Sequence, residues 1–329
     1  MAIQNTILIG NGINRWIKDN PVVGDNYQIS WKSTLELLAQ RAQYDVRDID
    51  QKPLTLVFDE LILKASNLSK IDLQRLAMLS THIPGDLDLN HAYSCLGKNT
   101  LTTNYFANYV LHGCGFMPDH LPFEINSPLF PQIKENTFSL FRASKSRAKV
   151  NWSIHGAFPE AQSIMLGLRQ YSRYQNHIAN YLTGTISYSK VQELRSPLYL
   201  PRPDFEFEKN GNPYSWVDLF LRDHIHMIGF GMEYTESILW WLLTEKFWLQ
   251  RKFPKYIGGL TYYHVEVEKP SSHEKVKLNM LEDLGARVNV VKAKDYKSGY
   301  LEIADTIKPG IVRLLKAKDY RGMYKLSLK

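Results

Sequence analysis

The chain has 329 residues, 44% of them hydrophobic and 12% aromatic, and its 40 basic against 33 acidic side chains give a formal charge of +7. This composition excludes a disordered or fibrous chain and suits one large α/β domain or two modest ones with a sizeable core. The charge is spread along the sequence rather than gathered in an arm, which suits anionic small molecules and does not by itself argue for nucleic acid. Two cysteines, Cys95 and Cys114, exclude a disulfide framework and a C-x-x-C zinc pair, and they point to a reducing compartment. The first residues lack the layout of a signal peptide, and no run reaches the roughly 18 apolar residues that a membrane span needs. A soluble cytoplasmic protein is expected.

In chain order, Ile3 to Ile9 is an apolar run that stops at Gly10-Asn11-Gly12. Such a run reads as a buried strand turning sharply, with backbone N–H groups free to meet an anion. Arg15 stands where the third glycine of G-x-G-x-x-G belongs, so this is not the ordinary dinucleotide fingerprint, and a tight turn without a ligand is an equal alternative. Apolar spacing predicts helices over Trp31–Arg41, Leu54–Lys64 and Ile71–Leu79. With few strand signals in this interval, residues 32–98 are expected to form a helical insertion, either a lobe of its own or a coat on one sheet face. Thr100 to Phe106 favours a strand ending in polar residues, and strands are also expected over Thr137–Arg142 and Lys149–His155, the last closing on His155-Gly156. Residues 157–195 are expected to form a second helical segment, rich in tyrosine and arginine, ended by prolines.

His224 to Gly231 repeats the opening device, an apolar strand halted by two glycines one residue apart, with a helix from about Thr235 to Lys246 after it. Leu260–Val267 and Arg287–Val291 read as the last strands, with Glu274–Leu284 helical between them. No internal repeat is evident. Strands alternating with helices imply an α/β fold, a doubly wound, parallel, Rossmann-like sheet, in a single domain over residues 1–329. Ligands of open α/β sheets gather at the carboxyl ends of the strands, so four polar strand endings on one edge describe one pocket.

Gly10-Asn11-Gly12-Ile13-Asn14 resembles the sirtuin G-A-G-I-S turn, and Thr102-Thr103-Asn104-Tyr105-Phe106 resembles the sirtuin T-x-N-I-D. His155-Gly156 looks like the family's H-G pair, and Ile228-Gly229-Phe230-Gly231 is similar to its late glycine turn. The four come in the family's order and span about Ile3 to Ile303. Two departures stand out: two isolated cysteines cannot build the four-cysteine zinc ribbon, and Phe106 replaces the acid. What remains resembles the zinc-free sirtuin-like domains of bacterial antiviral defence. That resemblance implies hydrolysis of NAD, with NAD as substrate and no metal, and it carries the catalytic pair onto Asn104 and His155.

The chemistry suits those residue types. Cleaving the nicotinamide–ribose bond passes through a cation-like sugar, and the enzyme must hold the ribose and deliver water. A histidine accepts a proton near neutral pH, and a neutral amide both accepts from and donates to water or ribose. His155 is therefore expected as base and Asn104 as positioner, against a packed core histidine and a helix cap as the bland alternatives. Gly10, Asn11, Gly12, Asn14 and Thr103 would line the nucleotide, with Arg15 neutralising a phosphate. Gly229 and Gly231 would border the adenosine, and Glu233 would take a ribose hydroxyl. Trp31 either packs in the core or walls the nicotinamide side. Hydrolysis harmful to its own cell implies control, by homo-oligomerisation or by a separate sensor protein. Transfer of ADP-ribose or an acyl group, and a non-catalytic module that binds NAD or ADP-ribose within a complex, remain open alternatives.

Overall fold

The computed structural model describes residues 3–13, 30–80, 99–102, 123–124, 140, 142–146, 149–156, 161–183 and 215–307. Its strands are β1 (Asn5–Ile9), β2 (Asn99–Thr102), β3 (Phe123–Glu124), β4 (Arg142–Ser146), β5 (Lys149–Ser153), β6 (His224–Ile228), β7 (Leu260–Glu266) and β8 (Arg287–Lys292). They form one sheet in the order β3-β4-β5-β2-β1-β6-β7-β8. The six strands from β5 to β8 in that order are all parallel, and β3 and β4 add an antiparallel edge.

Alternation along β1 explains why both faces are covered. Leu8 points into one apolar cluster with Leu101, Ile225 and Met227, while Ile7 and Ile9 point into another with Val265, Tyr300 and Ile303. A strand whose two faces are both buried must be apolar throughout, which is what the opening run displays. On the Leu8 face pack α4 (Leu168–Thr183), α5 (Trp216–Arg222), α6 (Ser237–Lys252) and α7 (Ser272–Leu284). On the Ile7 face packs α8 (Tyr296–Ile307). The doubly wound α/β architecture expected from the sequence is therefore present.

Helices α1 (Trp31–Arg41), α2 (Leu54–Lys64) and α3 (Lys70–Ser80) share a third cluster built on Leu38, Phe58, Leu61 and Leu73. Ala161, Ile164 and Leu166 join it, so the segment after β5 is what ties these helices to the sheet. Ser30 starts α1 with a capping box to Ser33, Ser215 starts α5 with one to Asp218, and Ser271 starts α7 with one to Glu274.

Three elements differ from the sequence expectation. Of the strand expected over Thr137–Arg142, residues 137–139 and 141 lie outside the described residues, and the described strand begins at Arg142, runs to Ser146 and pairs antiparallel with β5. Two residues separate β4 from β5, and so short a connection permits only an antiparallel pair. The sequence pattern does not predict helix α5, because six of its seven residues are buried, leaving no amphipathic period to read. Helix α8 carries Gly299 in its interior, a weak helix former that masks its pattern. Within residues 157–195 the described structure is a short 3-10 turn, Ala161–Ser163, and α4. Among the described residues no helix is long and apolar enough to cross a membrane.

Candidate functional site

Parallel pairing sets the carboxyl ends of four strands in one row: Ser153 of β5 faces Thr102 of β2, which faces Ile9 of β1, which faces Ile228 of β6. His155, the end of β2 at Thr102, the Gly10–Gly12 turn and the Gly229–Gly231 turn therefore all lie at the same edge of the sheet. Thr103, Asn104, Asn14 and Arg15 lie outside the described residues.

The two glycine turns are packed on each other. Gly10 N–H donates to Ile228 O at 2.9 Å, and Gly12 N–H donates to Gly229 O at 2.7 Å. A Cβ on Gly12 would sit 2.6 Å from that same carbonyl, and one on Gly10 or Gly229 would also run into the opposing turn. Gly229 has φ +61°, a conformation that a side chain disfavours. Backbone-to-backbone contact thus accounts for these glycines, and the N–H groups of Gly10 and Gly12 are already engaged inside the protein. Asn11 lies between them, half-buried.

Beside these turns a cleft of about 660 Å³, open solvent at its mouth included, is walled by the ends of β6 and β7 and by α7 and α8. Gly12, Gly229, Gly231 and Glu233 line it together with Lys277 and Tyr300. Tyr300 Oη donates to Gly12 O at 3.0 Å, fixing α8 to the first turn. Lys277 Nζ donates to Glu233 Oε1 at 2.9 Å; the lysine is nearly buried while the carboxylate is exposed. Aromatic walls with one ion pair offer a planar ring a stacking surface and a hydroxyl a charged acceptor.

His155 lies at the other side of the turns. The chain reverses at Gly156, whose φ of +109° and lack of Cβ let it lie against the backbone of Ser163 and Ile164. Met165 N–H then donates to His155 O at 3.0 Å. The His155 ring is 2% exposed. Its Nδ1 lies 3.4 Å from Tyr171 Oη of α4, and its Nε2 lies 3.7 Å from Oε2 of Glu236, the residue that caps α6. Tyr171 Oη in turn donates to Glu236 Oε1 at 3.5 Å. Burial pulls the imidazole down to about 3 and pushes the Glu236 carboxyl up to about 8, the latter opposed by the Tyr171 hydrogen bond and helped by the charge of Glu233. Burial thus favours the uncharged form of both groups. Glu236 Oε2 is buried without a hydrogen-bond partner, a state that costs about 1–3 kcal/mol.

No motif in the sequence marks Tyr171 or Glu236 as a site residue. Glu236 follows the late glycine turn at the start of a helix, three residues after Glu233, and only the fold decides which of the two points inward. Trp31 packs into the cluster of α1 to α3. Among the described residues no group of three or more His, Cys, Asp or Glu could hold a metal ion. A scan against models of protein families and a search among curated proteins both found no match.

Proposed function

We propose that the chain binds NAD at the carboxyl edge of its sheet and hydrolyses the bond between nicotinamide and ribose. The observation that carries this reading is the common row of strand ends, which brings a neutral histidine, two interlocked glycine turns and an aromatic cleft to one edge of a parallel sheet. In this proposal the adenosine occupies the cleft, with Glu233 on a ribose hydroxyl, and the diphosphate passes the Gly12–Gly229 turn. The reacting ribose lies toward His155 and Asn104.

The reaction consumes one water. The C1′–N bond breaks with its electron pair leaving on nicotinamide, the water oxygen forms the new C1′–O bond, and one proton is released. His155 takes that proton, from water or from a ribose hydroxyl, and Asn104 holds the acceptor in place; a positioned base of this kind contributes ~10²–10⁴-fold. Such an activity depletes its own cell's cofactor, which fits an effector of antiviral defence held in check by self-assembly or a partner protein. A second reading, a module that binds the nucleotide without cleaving it, is favoured by the near-complete enclosure of the His155 ring. Incubating the purified chain with NAD and following free nicotinamide separates the two. Release that disappears in His155→Ala and Asn104→Ala supports hydrolysis, and binding with no release under any condition supports the module.

A further inference from the structure

We propose that Glu233 makes the cleft selective for dinucleotides whose adenosine ribose carries a free 2′-hydroxyl, and that it excludes their 2′-phosphorylated forms. This rests on the placing of adenosine in the cleft, and it adds which of the nicotinamide dinucleotides enters. Glu233 stands on the loop between β6 and α6, beside the second glycine turn: a Cβ on Gly231 would lie 3.5 Å from its Oε1. The side chain is 57% exposed and lines the cleft. Oε1 accepts from Lys277 Nζ at 2.9 Å, while among the described residues no group engages Oε2. A carboxylate oxygen left open toward a cleft only accepts hydrogen bonds, so it fits a hydroxyl, which donates. It repels a phosphate monoester, which is mostly dianionic at neutral pH.

Lys277 does not reverse this preference. Its ammonium reaches the cleft from α7 with the stem packed in the wall, the side chain only 8% exposed, and Glu233 already neutralises it. A 2′-phosphate on Lys277 has to displace Glu233, which exchanges one anion for another on the same ammonium and leaves the displaced carboxylate beside the phosphate. A hydroxyl displaces nothing and adds a bond on Oε2. The second carboxylate of the lining acts in the same sense. Glu274 Oε2 accepts from Ser271 N–H at 3.0 Å and pairs with Ser271 Oγ at 3.1 Å, so the amino end of α7 carries its own anion. Among the described lining residues the side chains of fixed charge are these two carboxylates and one ammonium, with no arginine to fork onto a phosphate. Such a repulsive element is what discrimination between two similar ligands requires.

The test is calorimetric titration of the full chain with NAD, with NADP and with NAD lacking the 2′-hydroxyl of its adenosine, while free nicotinamide is followed in parallel. The wild type is expected to bind NAD ~10–100-fold more tightly than either of the others, the worth of a hydrogen bond to a charged group. In Glu233→Ala the hydroxyl loses its acceptor and Lys277 its counter-charge, so the preference for NAD over NADP should vanish or invert, and loss of the 2′-hydroxyl should no longer weaken binding. In Glu233→Gln an acceptor remains and the repulsion goes, so NADP should gain affinity while the deoxy form still binds less well than NAD. Position 233 is exposed, and an unchanged thermal unfolding transition verifies that both variants fold. A wild type that binds NADP as tightly as NAD overturns the proposal, and so does a preference that survives unchanged in Glu233→Ala. Either result with nicotinamide still released leaves the hydrolase reading standing. The expected affinities without release uphold the proposal and refute hydrolysis, and a folded wild type that binds none of the three ligands refutes both.

Discussion

Helix α6 and its cap bring two buried ionisable groups to opposite edges of the sheet, and the two are built differently. At the amino edge Lys246, fully buried, donates to the carbonyls of Phe220, Leu221 and Asp223 at 3.0, 3.1 and 2.6 Å. Burial pulls this ammonium down to about 7 while Asp223 works against the shift. The Asp223 carboxylate accepts from Thr6 Oγ1 at 2.7 Å and from Arg222 Nε at 3.1 Å. Every donor of the lysine is used, and the network closes the end of α5 against the start of β6. At the carboxyl edge the links among His155, Tyr171 and Glu236 are 3.4 to 3.7 Å long, and one carboxyl oxygen has no partner. A buried polar network that satisfies every member is scaffolding, whereas one left incomplete is a cost that a protein tolerates at a working site.

Breaking the closed network should give the largest effect. Lys246→Met orphans three carbonyls and leaves Asp223 buried, and it should lower the free energy of unfolding by about 3–5 kcal/mol in a urea titration. A loss under about 1 kcal/mol would mean that the amino edge is not scaffolding. Next comes Gly229→Ala, which forces a side chain into a left-handed backbone against the first turn; about 1–3 kcal/mol of stability should go, together with nucleotide affinity.

The open network shows itself in the dependence of stability on pH. Glu236 has its folded value raised to about 8 from 4.5, so the unfolded state ionises first and stability is lost as pH rises between those values. His155 has its folded value lowered to about 3 from 6.5, so stability is lost as pH falls from 6.5 toward 3. The two slopes oppose one another between 4.5 and 6.5, leaving a net decline from about 6.5 to 8. The Glu236 side chain keeps 14% of its exposure, so the decline should amount to only about 1–2 kcal/mol. Thermal unfolding across this range should show it in the wild type and not in Glu236→Gln. The smallest effect belongs to Lys277→Ala, which removes a half-exposed ion pair worth about 0–1 kcal/mol of stability. Its main consequence should be weaker binding of adenosine diphosphate ribose, measured by calorimetry.

Much of the scaffold is visible in the residues themselves. Trp31–Arg41 and Leu54–Lys64 fall where their apolar spacing puts them, because each helix has one buried stripe. The first and sixth strands are recognisable as apolar runs halted by glycines, since a strand buried on both faces leaves no other pattern. The pairing of Gly12 with Gly229 is invisible locally: each glycine looks like an anion cradle until its distant partner is brought against it. Glu233 and Glu236 are chemically alike in the sequence, and only the path from β6 into α6 sends one to the cleft and the other to His155. Tyr171 is one of several tyrosines on α4, several of them buried, and nothing local marks it out.

The most direct measurement is a crystal structure of His155→Ala soaked with NAD, a variant in which the substrate should survive. Density for adenosine in the cleft beside Glu233 and Lys277, with the diphosphate passing Gly12 and the nicotinamide ribose toward position 155, is the expected result. NAD bound at the amino edge of the sheet, or no binding to a chain that remains folded, would contradict it.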